Sequence, residues 1–234
     1  MILGPRGRPL DPGRVRLLAT DYDGTLAERG LVAGSTWAAI ERWRASGRRV
    51  VLVTGRELDD LASTCPRLDP FDRVVLENGG TLFDPADRTE RALADPPIGR
   101  FVEALRASGV DPISVGRVII AAWQPHEPAI KAVIGAMGLP LRVVANKRAL
   151  MILPEGVDKA SGLLTALDEL GVSAGEVVGI GDAENDLAMF DASALAVAVA
   201  NALPEVKARA DFETLGERGV GVAELIDELL ARSP

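Results

Sequence analysis

The sequence predicts an α/β protein: a parallel sheet covered by helices on both faces, with a smaller α+β unit inserted into it. Three observations predict this. Short, nearly continuous apolar runs alternate with helix-patterned stretches, as strands buried on both faces require. Acid-rich motifs directly follow two of those runs, at the strand ends where open α/β sheets bind ligands. The middle of the chain breaks the alternation and closes with two strand-like runs joined by only Asn146, Lys147 and Arg148, the mark of an antiparallel hairpin.

Taken in order, residues 15–20 (VRLLAT) read as a buried strand. Ser35 is a candidate N-cap for a helix over 36–46 that Gly47 stops. Residues 49–54 (RVVLVT) form a second strand, 57–64 a short helix ended near Pro66, and 73–76 a third strand. After the middle region, 159–170 is an amphipathic helix carrying Leu163, Leu164, Leu167 and Leu170 and closed by Gly171. Then come a strand at 176–181, a helix at 184–190, a strand at 194–199, and helices at 204–210 and 222–231. The middle, 81–153, holds a strand at 81–84, a helix at 98–107, the apolar run 115–123, a helix at 127–137, and the hairpin strands 141–145 and 149–153. The expected division is therefore a core of 1–80 with 154–234, and an inserted unit of 81–153.

Composition bounds the function. The chain has 234 residues and a net charge of −8, from 26 Lys and Arg against 34 Asp and Glu, which argues against a general nucleic-acid binder. Its hydrophobic share of 47% is ample for a buried core. One Cys rules out an internal disulfide and a Cys-rich zinc site, and one His rules out any two-histidine mechanism. No apolar h-region opens the chain and no run approaches the length of a membrane span, so the expectation is a soluble protein of a reducing compartment, the cytoplasm, with no membrane partner. Arg6, Arg8, Arg14 and Arg16 read as a solvated tail.

Four motifs carry chemistry. Asp21-Tyr22-Asp23-Gly24-Thr25 follows the first strand, and its two carboxylates at i and i+2 can converge on one metal and one substrate; the plain alternative is an Asp-Gly turn. Gly181-Asp182-Ala183-Glu184-Asn185-Asp186 follows another strand. Asp182 and Asp186 can both face the strand tip, or they can serve the helix as caps. Oxygen ligands without His or Cys select a hard cation, Mg²⁺. Thr54-Gly55-Arg56 places a hydroxyl at a third strand tip, where it can hold a phosphoryl oxygen or merely form a turn. Lys159 opens a helix, where a cation works against the dipole, so it either pairs with something or lies in solvent.

In this order the four motifs resemble the haloacid dehalogenase (HAD) superfamily of phosphohydrolases. The insertion falls where that superfamily places a C2-type cap. Glu77-Asn78-Gly79-Gly80, Gly156-Val157-Asp158-Lys159, and Asn201-Ala202 with Val206-Lys207 and Ala210-Asp211 are similar to its Cof-like, type IIB branch. The resemblance covers nearly all of residues 15–230 and implies a HAD-like Rossmannoid core. It further implies Asp21 as nucleophile, forming an aspartyl-phosphate, and Asp23 as acid and base. Thr54 and Lys159 would stabilise the transferring group. The implied Mg²⁺ ligands are Asp21, the Asp23 carbonyl and Asp182, with Asp186 nearby. Gly55, Arg56, Asn78 and Arg148 are candidate substrate contacts, although Lys147 and Arg148 read more simply as a solvated turn.

The implied activity is phosphate release from a small phosphorylated metabolite, of the phosphoglycolate or sugar-phosphate class. A phosphomutase and a non-catalytic phospho-ligand sensor are the competing readings. No strand is followed by G-x-G-x-x-G, so a dinucleotide is not expected. The protein would be a monomer or a homodimer through its cap. His126 reads as a helix start and Cys65 as a structural thiol. Trp37 and Trp43, six apart on one helix and so about 240° apart around it, read as facing different ways.

Overall fold

The computed structural model describes residues 2–3 and 9–232; Arg6 and Arg8 of the expected tail lie outside them. A small ribbon pairs β1 (Ile2–Leu3) with β2 (Pro9–Leu10). The chain then enters β3 (Leu17–Thr20), α1 (Gly34–Ala45), β4 (Arg49–Val53), α2 (Leu58–Thr64) and β5 (Arg73–Leu76). Apart from Arg49 and Arg73, at the starts of β4 and β5, every residue of these three strands is buried, which is why they read as unbroken apolar runs. Trp43 is fully buried and donates from its indole to the Arg49 carbonyl (2.9 Å), while Trp37 packs on Phe71. Helix α1 begins one residue before Ser35, and Ala33 occupies the cap position without a side-chain bond.

After β5 the chain reverses on itself. Glu77, Asn78 and Gly79 take φ of 50°, 52° and 99° in succession. This left-handed turn lays β6 (Thr81–Asp84) antiparallel on β5, and β7 (Thr89–Ala92) follows on β6. The expected inserted unit, beginning at residue 81, therefore starts too early: its first strand belongs to the large sheet. Local pattern could not reveal this, because strand 81–84 reads the same whichever sheet accepts it.

The inserted unit holds α3 (Gly99–Ala107), β8 (Ser114–Val115), β9 (Ile120–Trp123), α4 (Glu127–Met137), β10 (Leu141–Asn146) and β11 (Ala149–Pro154). Its sheet runs β10-β11-β9-β8, antiparallel throughout. One face carries Ile120, Ala122, Leu150 and Ile152 against Phe101, Leu105 and Ile130 of the two helices. The other face gathers Ile119, Met151 and Leu153 with Val118 and Val157. The run 115–123 is thus two strands and a turn at Gly116–Ile119 rather than one strand. His126 caps α4 and its ring lies 3.0 Å from the Asp111 carbonyl, in a structural setting.

The chain returns through α5 (Lys159–Leu170), β12 (Val177–Gly181), α6 (Leu187–Asp191), β13 (Leu195–Ala198), α7 (Pro204–Arg209), β14 (Phe212–Glu213) and α8 (Arg218–Ala231). Helix α8 begins four residues before the expected 222. Among the described residues the large sheet has the order β14-β13-β12-β3-β4-β5-β6-β7, parallel from β14 to β5. The chain moves outward from β3 to β5, then returns to lay β12 on the other side of β3. The strand order reverses at β3, so its carboxyl end is where a crevice opens.

Candidate active site

Asp21 is the first residue past β3, and its N–H still donates to the Ile180 carbonyl of β12 (3.0 Å). The next residues fold tightly: the Tyr22 carbonyl accepts from the N–H groups of Thr25, Leu26 and Ala27. Gly24 has φ +89°, and a Cβ there would stand 2.4 Å from Asp182 Oδ2. Only glycine allows this loop to lie so close to the second acid motif. Asn201 secures the loop from the far side, donating to the Gly24 carbonyl (2.8 Å) while accepting from the Arg218 N–H (2.7 Å).

Asp21, Asp182 and Asp186 come together, each buried, with an oxygen from each within 4.8 Å of the others. Asp186 serves two purposes. Its Oδ2 accepts from the N–H groups of Asp182 and Ala183 (2.8 and 3.0 Å), while its Oδ1 accepts from Lys159 Nζ (2.5 Å). One carboxylate thus bonds the backbone at the start of the turn and also faces the strand tip beside Asp21 and Asp182. Lys159 opens α5 behind an Asp158–Ser161 capping box and is wholly buried, with Nζ also 2.5 Å from Asp21 Oδ1. What it pairs with is the acid cluster. Asp182 accepts from Thr25 Oγ1 (3.2 Å) and from Lys147 Nζ (2.7 Å).

The electrostatics follow from the charge count, three buried carboxylates against two ammonium groups. Burial, and next the Asp186 carboxylate, push the Asp21 carboxyl up to about 8 against the pull of Lys159. Burial likewise raises Asp182, against the hydrogen bond from Lys147. Burial opposes charge on Lys159, but Asp186 and Asp21 outweigh it and hold the ammonium charged. A trio of oxygen donors short of positive charge fits a hard divalent cation, and no nitrogen or sulfur ligand competes within the trio.

Asp23 takes no part in that trio. Its side chain is 45% exposed and is gripped by Arg56 through two bonds, Nε to Oδ2 (2.6 Å) and Nη2 to Oδ1 (2.9 Å). Arg56 also bonds Asp60 (2.9 Å) and lies over the Tyr22 ring. The guanidinium expected to meet substrate lines the cleft with its fork on Asp23. Thr54 is buried, and its carbonyl accepts from the Asn78 N–H (2.9 Å). A Cβ on Gly55 would stand 3.0 Å from Asn78 Nδ2, and the buried Asn78 accepts at Oδ1 from Asn185 Nδ2 (2.8 Å). Arg148 is exposed on the hairpin turn. Its neighbour Lys147, expected in solvent as well, reaches the acid cluster instead. Sequence offered one hint for Lys147, a cation at a tight turn facing an acidic protein.

Above Asp21, Asp23, Thr54 and Arg56 lies a cleft of about 560 Å³, roofed by Ile119, Trp123 and Met151 of the inserted unit. The roof is apolar and the floor is charged.

The model of the haloacid dehalogenase-like hydrolases matches residues 140–226. Phosphoglycolate phosphatase 2 of Saccharolobus solfataricus is 33% identical over 221 residues, covering 92% of each chain. The chain belongs to the haloacid dehalogenase-like hydrolases. Within that family it is a phosphatase. The phosphoglycolate phosphatase of Methanothermobacter thermautotrophicus is 30% identical over 218 residues, covering 91% of this chain and 97% of its own. A subclass IIB sugar phosphatase of the haloacid dehalogenase superfamily has the same fold, with a TM-score of 0.77 at 19% identity over 92% of this phosphatase and 98% of that chain. Among the described residues no helix is long and apolar enough to cross a membrane.

Proposed function

We propose that this phosphatase hydrolyses a small phosphorylated metabolite, phosphoglycolate or a sugar phosphate, through an aspartyl-phosphate on Asp21. The observation that carries the reading is the division of labour between two carboxylates lining one cleft. Asp21 is buried beside Lys159 and the other two acids, while Asp23 is held by Arg56 on the open side.

A bound Mg²⁺, held by Asp21, Asp182 and Asp186 with the Asp23 carbonyl, would offset the repulsion between carboxylate and phosphate. Asp21 attacks phosphorus; an O–P bond forms to its carboxylate and the bond to the leaving oxygen breaks. Asp23 gives that oxygen a proton. Water then attacks the same phosphorus, Asp23 takes the water's proton, and phosphate leaves with Asp21 restored. Lys159 supplies fixed positive charge for the transferring phosphoryl group, and for the Asp21 carboxylate when water displaces it, and Thr54 offers a hydroxyl at the rim of the same site. The Arg56 fork holds Asp23 in one orientation through both steps.

The relatives named phosphoglycolate phosphatases support a short carboxylate leaving group. Glu57, Asp59 and Asp60 along the cleft support an uncharged polyol. Phosphate release from phosphoglycolate, hexose phosphates, nucleotides and an aryl phosphate, with Mg²⁺ and with EDTA, ranks these classes. Release should require both Mg²⁺ and Asp21. Full release by Asp21→Asn, or in EDTA, would refute the mechanism. A phosphoryl group returned to substrate rather than to water would identify a mutase.

A further inference from the structure

Glu77 is a buried carboxyl that the proposed chemistry does not use. It follows β5 on the core side, is 1% exposed, and holds a left-handed φ of 50°. Its carboxylate ends in the inserted unit. Oε1 accepts from the Arg117 N–H (2.9 Å), and Oε2 accepts from the N–H groups of Val118 and Ile119 (2.8 and 3.0 Å). Three successive backbone donors converging on one anion form a nest, and hydrogen bonds to an ionised acceptor are the stronger kind.

Both sides of the contact are built for it. A Cβ on Gly116 would stand 2.6 Å from Glu77 Oε2, and one on Gly80 would stand 2.9 Å from Val118 Cβ. The Glu77 backbone meanwhile faces the catalytic loop: its N–H donates to the Arg56 carbonyl (3.0 Å), and the next N–H, of Asn78, donates to the Thr54 carbonyl. One residue therefore ties the loop of Thr54 and Arg56 to the turn that begins β9. Ile119 at the end of that turn, with Ala121 and Trp123 along β9, lines the roof of the cleft.

We propose that Glu77 is a positioning residue, which sets the height of the roof above Thr54 and Asp23 and so the affinity for the leaving group. The inference rests on the reading that this cleft holds the substrate. The carboxylate meets no reacting atom; it acts through the turn it grips.

Two variants test it. Glu77→Gln replaces one acceptor oxygen with an amide that faces the Arg117 N–H donor to donor. Gly116→Ala leaves Glu77 intact and wedges a methyl group against it. Hydrogen exchange of the full-length protein without substrate should quicken at Val118 and Ile119 by about tenfold or more in Glu77→Gln. With an aryl phosphate as probe, KM should rise by about fivefold in both variants while kcat per folded molecule stays within about twofold. Unchanged exchange at those two amides, or unchanged KM in both variants, would overturn the proposal. A fall in kcat with KM unaltered would overturn it as well, since Glu77 would then act on the chemical step rather than on the fit of the leaving group. If the wild type hydrolyses no phosphate ester, the functional reading fails, and exchange at Val118 and Ile119 still decides whether Glu77 holds the roof.

Discussion

Replacing Lys159 with methionine isolates the electrostatic logic of the site. The side chain is fully buried, and its ammonium lies 2.5 Å from both Asp21 and Asp186. Methionine fills a similar volume, so the change chiefly removes charge. Breaking a buried ion pair by deleting one partner costs about 3–5 kcal/mol, because the other charge is left without compensation. With a urea slope of roughly 2 kcal/mol/M, the midpoint should fall by roughly 1.5–2.5 M at pH 7 in EDTA. The loss should also depend on pH in a definite direction. A carboxyl whose folded pKa lies above its unfolded value favours the native state fully below the unfolded value, and loses that advantage as pH rises towards the folded one. For Asp21 that window runs from 3.8 to about 8 in the wild type, with Lys159 pulling its upper end down. Without the ammonium the upper end moves higher, so the wild type gains from ionising Asp21 above about pH 8 where the variant does not, and Lys159→Met should be penalised more at about pH 9 than at pH 7. Urea unfolding at both pH values measures it. A destabilisation below about 1 kcal/mol at pH 7, or an equal loss at both pH values, would refute the charge count of three buried carboxylates held by two ammonium groups.

Three further outcomes are expected. Arg56→Lys cannot reproduce the two-pronged grip on Asp23, so kcat should fall by about tenfold with stability changed by less than about 1 kcal/mol, in steady-state kinetics and thermal melts. Tyr22→Phe deletes the buried hydroxyl that donates to the Gly30 carbonyl (2.8 Å), and should cost about 1–2 kcal/mol in urea unfolding while the carbonyl goes unpaired. The hydrogen bond from Arg73 holds the Glu169 carboxyl below its ordinary value, with Arg91 assisting. Its stabilisation is present above the unfolded pKa and disappears as pH falls through the folded one. Glu169→Gln should therefore cost up to about 1 kcal/mol at pH 7 and nothing near pH 2–3, read from stability against pH.

Much of the site is legible in the amino-acid sequence. Asp21, Thr54 and Lys159, with Asp182 and Asp186, announce themselves because each follows a buried strand or opens a helix, and such boundaries are written in a few consecutive residues. The same signal misleads at Lys147. A turn between two strands reads as solvated, and the pattern does not say which of its two cations points inward. Arg56, expected as a substrate contact, lines the cleft, and its pairing with Asp23, 33 residues away, is one that no local pattern announces.

The alternation of strands and helices, the insertion, and the acid motifs at the strand tips are properties of short windows. Hydrophobic period and turn chemistry act there over a few residues, so the chain's local composition is enough to set them. Which strand pairs with which, and which distant charges meet, depends on the folded whole. Folding placed β6 in the large sheet, Lys147 on Asp182 and the Glu77 carboxylate in the nest of residues 117–119. Those choices follow from the order of strands across the sheet and from the packing of the inserted unit over it. Lys147 and Asp182, like Glu77 and its nest, lie tens of residues apart, and no local energy distinguishes such partners until the chain has closed.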